Sequence, residues 1–505
     1  MRTIDEVLRI EDIDQKIAYL KKGRKTELPD AVKLYNDWNP NRHEIITDKE
    51  KYPKIKITVE KEKEVYDEKT GKTTTIPKKT KDVEPNRIAL PIERDIVNIQ
   101  TAFTVGTEPK MNCEPEESEH GLFSALRKVL EKNKIKYQNK RIVRSWLSEQ
   151  ECAEYWYVVK DDGFWAKLKR RIGNIFGASA PEYRLKSVIW SPFRGDKLYP
   201  FFDDSNNLVA FSREYKKKDL DDMEITCFMT ITADSVYQWE LTDGWKPIPS
   251  FKHGFKKLPV LYCYRPEAYC EKIKTLRVRL EKLMSNYADC IDYHFFPILM
   301  LFGDVQNFSG EFKNRVVELT GEGANAQYLT WNQASDTVKL ELDSLIEKIY
   351  SMTNTPRISF ENLKGSGNAL SGVAFDYVFL STHLNVENLA EVIGEFMQRR
   401  VNFLVSALGS INSSLEKAAE TIDIDVEIEP YRLDNIDDRV STAVKAVSGN
   451  VWSQKHGVLF AGNADRLEEE LQQIKEEQEE KQRMEIEKQS KMSQNNPQNE
   501  NRPAV

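Results

Sequence analysis

Few residues of this chain fall into patterns that do chemistry. Gly71-Lys72-Thr73 has the ending of a phosphate-binding loop, but the first glycine of that motif would fall at Tyr66. Its setting is a charged hairpin rather than the strand–loop–helix the motif needs to aim backbone amides at phosphate. Gly365 to Gly372 is glycine-rich, yet it follows a helical pattern and lacks the lysine-then-hydroxyl ending, so it does not read as a nucleotide cradle. His43, His120, His253, His294, His383 and His456 are dispersed, with no H-E-x-x-H or other metal-ligand spacing. Asp203-Asp204 and Asp221-Asp222 sit in turn-like segments and read as loop solubility. A two-metal nuclease needs carboxylates converging from several strands, which spacing along one chain neither shows nor excludes. Cys113, Cys152, Cys227, Cys263, Cys270 and Cys290 form no C-x-x-C pair and read as buried free thiols of a reducing compartment. We therefore expect no catalytic residue, cofactor or metal.

The patterns that do stand out are mechanical. Leu342, Leu345, Ile346 and Ile349 recur at helical spacing, and Thr353-Asn354-Thr355-Pro356 stops that helix, because the residue before a proline is pushed out of the α region. Lys364 and the pliant run Gly365-Ser366-Gly367-Asn368-Ala369-Leu370-Ser371-Gly372 follow. Beyond them Phe375, Phe379, Val386, Leu389, Ile393, Phe396, Phe403 and Ala407 predict one uninterrupted helix, roughly 50 Å long at 1.5 Å per residue. Such a rod belongs to a large architectural object rather than a compact enzyme. A second rod is predicted from about residue 267. Ile273, Leu276, Leu280, Leu283, Tyr287, Cys290 and His294 follow a 3-4-3-4 seam suited to packing along neighbouring helices. Lys272, Lys274, Arg277, Arg279 and Lys282 make that rod locally basic, either as a solvated face or as a surface near a nucleic-acid backbone or partner subunit.

The remaining elements frame these rods. Residues 1 to about 50 read as polar helices punctuated by Pro29 and Pro40, and 51–85 as an exposed charged hairpin. Ile92, Ile96, Ile99 and Phe103 predict a helix stopped at Gly106, and a second helix is expected over about 121–147. Residues 151–264 read as β-rich, with the basic stretch Lys167–Arg171 in an insertion. Phe295–Phe302 reads as a buried strand, too short to span a bilayer. Ile422, Ile424, Val426 and Ile428 suggest a late strand, and the Asn/Gln/Pro-rich end after Glu476 reads as a disordered tail. At 505 residues the chain has room for two to four domains, and a formal net charge of −7 argues against gripping nucleic acid by bulk electrostatics. It does not argue against letting nucleic acid slide past.

The ordered set of patterns resembles the portal protein of tailed bacteriophages, in the long-tailed phage variant. The resemblance rests on Asn86-Arg87-Ile88 through Gly106-Thr107-Glu108-Pro109, on Leu280 through Gly303, and on Thr355-Pro356, Phe360 and Asn368-Ala369-Leu370-Ser371-Gly372-Val373-Ala374. It continues in Ala446-Val447-Ser448-Gly449-Asn450-Val451-Trp452-Ser453 and Asp465 to Glu470. It covers about residues 85–475; the hairpin at 51–85 and the insertion at 163–182 depart from it.

The resemblance implies an α+β portal fold with wing, helical stem, small β-containing clip and α-helical crown, assembled as a ring, usually a dodecamer. By analogy 1–264 is the wing, 265–296 a stem helix, 297–338 the clip and 339–356 a second stem helix. Residues 357–372 would be the tunnel loop, 373–430 the wing's long helix and strand, 431–475 the crown and 476–505 the tail. It implies a non-enzymatic head-tail connector at one vertex of the virion capsid, assembled in the host bacterial cytoplasm. Double-stranded DNA would be packaged and ejected through its channel. The implied partners are the large terminase subunit, a head-completion adaptor, and the major capsid and scaffolding proteins, with no membrane. Ile273, Leu276, Leu280, Leu283 and Tyr287 would pack the stem, and Lys364 to Gly372 would touch DNA. The rivals are a metal-dependent nuclease, which chelation would silence, and a cellular helical scaffold protein, which would form no ring.

Overall fold

The computed structural model describes residues 3–60, 63–67, 72–76, 79–160, 183–218, 221–294, 298–308, 317–329, 335–357, 379–431, 436–462 and 467–494. The chain divides into two units, one of residues 1–357 with 380–431 and one of 358–379 with 432–505. The basic stretch Lys167–Arg171 lies outside the described residues.

In the first unit, α1 (Ile4–Leu8), α2 (Ile13–Lys22), α3 (Ala31–Trp38) and α4 (Glu44–Thr47) carry the polar N-terminus. Asp12 and Asp30 accept backbone N–H groups at the starts of α2 and α3, satisfying donors that the first turn leaves free. Residues expected as a hairpin form two successive antiparallel ladders, β1 (Ile55–Glu60) with β4 (Lys79–Val83) and β2 (Lys63–Asp67) with β3 (Lys72–Ile76). Helix α5 (Ile92–Val105) buries Ile92, Ile96 and Phe103 along one stripe. Strand β5 (Lys110–Asn112) follows.

The expected 121–147 helix is two helices, α6 (His120–Lys132) and α7 (Ile135–Glu149). Lys134 between them adopts φ 51°, and the Asn133 Nδ2 donates to the Val129 and Leu185 carbonyls. The break therefore carries its own hydrogen bonds. The β-rich region holds β6 (Glu151–Lys160), β7 (Tyr183–Trp190), β8 (Lys197–Phe202), β9 (Leu208–Lys218), β10 (Glu224–Ile231), β11 (Ser235–Leu241), β12 (Trp245–Lys252) and β13 (Val260–Tyr264). They form a β13-β6-β7 sheet and a five-stranded β12-β11-β10-β9-β8 sheet, antiparallel throughout.

Helix α8 (Lys274–His294) leads to an antiparallel ribbon of β14 (Ile298–Phe308) and β15 (Val317–Leu329). The expectation of a buried strand fails at Phe302, which is 45% exposed. A two-stranded ribbon has no second layer to cover it. Helix α9 (Ser335–Met352) runs against α8. Helix α10 (Leu380–Ile411) is the long rod, and it buries Val386, Leu389, Ile393, Phe396 and Phe403. Its 32 residues span about 48 Å. It packs against α5, α6 and β13 and so runs through the largest hydrophobic core. After α11 (Glu416–Thr421), the late strand expected from Ile422 to Ile428 shrinks to β16 (Asp425–Glu427), which pairs with β5. Of the six thiols, Cys290 is exposed and Cys113 half-buried, against the expectation of burial for all.

The second unit holds α12 (Ile436–Ser448), α13 (Gln454–Ala461) and α14 (Leu467–Gln494). Ser453 caps α13, and Trp452 packs on His456 and Phe460. The tail expected to be disordered is helical as far as Gln494. Its Glu, Gln, Lys and Met are strong helix formers that need no buried core to propagate a helix.

Candidate functional site

Lys364 and Gly365 to Gly372 lie outside the described residues, but the chain on either side is described, and both flanks are tied to one buried side chain. Helix α9 ends at Met352. Thr353 turns its hydroxyl back to the Ile349 carbonyl at 2.9 Å, and Asn354 takes the left-handed conformation, φ 47°. Thr353 and Thr355 are buried, so their polar groups need partners within the protein. Gln100 of α5, fully buried, supplies them. Its Nε2 donates to the Thr353 carbonyl at 3.1 Å, the Asn354 carbonyl at 3.1 Å and the Thr355 hydroxyl at 2.9 Å. Its Oε1 accepts from Asn385 Nδ2 of α10 at 2.8 Å. The Tyr269 hydroxyl closes the set, accepting from Asn385 at 3.0 Å and donating to the Thr353 carbonyl at 2.6 Å. Burial pushes the Tyr269 hydroxyl well above its ordinary pKa, so it stays a donor. Thr382 adds a bond to the Asn354 carbonyl at 2.8 Å. The segment that leaves at 357 and returns at 380 is thus rooted at both ends in a buried, hydrogen-bonded lattice.

The predicted seam of α8 is reproduced in part. Ile273 and Leu280 are buried; Leu276, Leu283 and Tyr287 are half-buried. The five cations do not share one face. Arg277 is only 2% exposed and lies inside an ionic cluster. It pairs with Glu93 of α5, with Asp37 of α3 at 3.0 Å and with Glu281, one turn along, at 3.2 Å. Positions 273, 277, 280 and 281 fall on one side of a helix, so the seam draws Arg277 inward, and the reading of a single basic face is corrected at that residue. Lys274 pairs with Asp37 at 2.6 Å, Arg279 reaches Glu341 of α9 at 2.6 Å, Lys272 lies 4.8 Å from the Tyr269 ring centre, and Lys282 is exposed.

Sequence reasoning missed what these charges hold. His43 bridges the Glu281 carboxylate at 2.6 Å and the Asp37 carbonyl at 2.9 Å. Burial pushes Glu93 up to about 7, against the pull of Arg277. The segment before α5 is laced along α8. Asn86 N–H donates to Asp289 at 2.7 Å, Ile88 N–H to Ser285 at 2.9 Å and Leu90 N–H to Glu281 at 2.9 Å. Chemically these lattices position chain segments rather than activate a nucleophile. Among the described residues no group of three or more His, Cys, Asp or Glu could hold a metal ion, and no helix is long and apolar enough to cross a membrane.

Comparison with known proteins places this architecture. No curated protein sequence matches the chain. Among solved structures, the neck of an empty GTA particle aligns at 9% identity and TM-score 0.37, covering 74% of this chain and 90% of that one. The virion of a native gene transfer agent (GTA) particle aligns at 10% identity and TM-score 0.37, with the same coverage. Likenesses so distant support no argument. The profile of the family described as "Phage portal protein, SPP1 Gp6-like" matches residues 18–484, nearly the whole length. A match of that extent spans the helical rods, both β regions and the rooted glycine segment, and by it the chain belongs to the SPP1 Gp6-like family of phage portal proteins.

Proposed function

We propose that copies of this chain close into a ring, most simply a dodecamer, at one capsid vertex. Double-stranded DNA enters and leaves through its bore. Head-to-tail contacts repeated about an axis close in this way, and the α8 and α9 rods are suitable wall material. In this reading residues 357–372, within the segment between Arg357 and Leu380, are the tunnel loop, and Lys364 with Gly365–Gly372 touches the passing duplex. The observation that carries the assignment is the Gln100 lattice, which roots both ends of that segment. A loop that must flex against a moving polymer needs fixed ends, and glycines let its middle change shape at no steric cost. One cation per subunit in an acidic protein limits the counterion-releasing contacts that would make DNA stick.

The β14–β15 ribbon would be the clip that meets the large terminase subunit and later the head-completion adaptor, and α12 and α13 would lie in the crown. The major capsid and scaffolding proteins would surround the ring. No bond is made or broken by the ring. The test is to replace Gly365 and Gly367 with proline. Rings should form as before while DNA packaging falls, and normal packaging by such rings would refute the loop's role.

A further inference from the structure

Among the described residues the β1–β4 and β2–β3 ladders, successive along one ribbon of chain, each have only two strands. Consecutive residues of a strand point to opposite faces. Lys54, Ile55 and Lys56 at the start of β1 and Lys79, Thr80, Lys81 and Asp82 of β4 are all exposed, so at these described residues both faces of the first ladder are open. Ile55, which starts the β1 ladder opposite Val83, is 43% exposed. An isolated two-stranded ribbon is marginally stable in water, and two open edges invite pairing or docking. The element is built to be completed by something else.

Charge says what. Lys54–Val83 holds nine lysines and six carboxylates, a surplus of +3 in a chain whose net charge is −7, so the remainder carries −10. That negative charge includes one compact surface of the same unit. Glu114, Glu116 and Glu117 are exposed beside exposed Glu420, Asp423 and Asp425. The two stretches are held together by the Thr421 hydroxyl, which donates to Glu119 at 2.6 Å, and by the pairing of Asp425 with Asn112. The cations nearby in these stretches are already engaged: Lys110 pairs with Glu429, and Lys256 pairs with Glu416 at 2.7 Å.

We infer that the ribbon is an arm that lies against this acidic patch on a second copy of the chain. The inference rests on the ring reading and adds to it a contact that locks adjacent subunits. Such a contact is electrostatic at its rim, hence strongest at low salt.

The test uses the full chain and follows ring assembly by analytical ultracentrifugation at about 50 mM and about 500 mM salt, with thermal melting as a check on folding. Reversing the arm (Lys56→Glu with Lys81→Glu) should raise the concentration for half-assembly roughly tenfold at low salt, with the difference shrinking at high salt. Reversing the patch (Glu116→Lys with Glu117→Lys) should do the same. Combining the four should return assembly to near the wild-type concentration. An arm-reversed protein that assembles as wild type does at low salt, or a fourfold variant worse than either pair, overturns the contact and leaves the ring intact. Wild-type protein that never closes into rings removes the ring reading and the contact together.

Discussion

Gln100→Glu changes one atom of the lattice that roots the proposed tunnel loop. It removes a donor that serves Thr353, Asn354 and Thr355 and puts a carboxylate oxygen where two carbonyls stand at 3.1 Å. The amide's two N–H donors, shared among these three acceptors, are worth about 2 kcal/mol at about 1 kcal/mol each, and with the cost of a charge in a buried site the local penalty is about 3–5 kcal/mol. The oxygen facing Asn385 survives, so the damage should be lopsided. In hydrogen exchange read by mass spectrometry, amides such as Asn354 and Thr355, bonded to Ser351 and Tyr350, should lose roughly a hundredfold or more of their protection. Those around Asn385 should lose much less. Gln100→Leu removes both halves and should loosen both roots. Unchanged protection at 353–357 in Gln100→Glu would refute the claim that this amide is the tie. Equal loosening at both roots would refute the division of labour between its two atoms.

Glu93 supplies a pH test. Its carboxyl is pushed from 4.5 to about 7, so between those values the folded state holds a proton that the unfolded state has lost. Stability should fall as pH rises through that window, by up to about 3 kcal/mol. Glu93→Gln should flatten the trend in melting curves taken across it, and parallel curves for the two proteins would count against the assignment. Gly23 follows α2, and a Cβ there would sit 2.0 Å from the buried Phe201 ring. Gly23→Ala should cost about 1–3 kcal/mol and lower the melting temperature; an unchanged melting temperature would contradict the packing of the end of α2 against β8.

Much of the frame was legible because its signals are local. Ile92, Ile96, Ile99 and Phe103 repeat at helical spacing and Gly106 ends the run, so α5 follows from the sequence. The long rod follows equally from Val386 to Ala407. The α6–α7 break was not legible, because neither Asn133 nor Lys134 is a glycine or proline and the turn is paid for by side-chain bonds to distant Leu185. The helix after Glu476 was misread because low hydrophobicity says that a segment cannot build a core, not that it cannot be a helix. The rooting lattice was invisible for another reason. Gln100, Tyr269, Thr353 and Asn385 lie far apart in the chain, and each alone is an ordinary polar residue. The same holds for His43, Glu93, Arg277 and Glu281. Their meaning lies in burial and mutual distance, which spacing along one chain does not carry.

Negative-stain imaging of the purified protein decides whether this chain is a stave of a hollow ring. End-on views should show rotational symmetry around a stain-filled axial hole, and side views a tapered body. Monomers or open filaments at every concentration tried, alone and during capsid assembly, would contradict it.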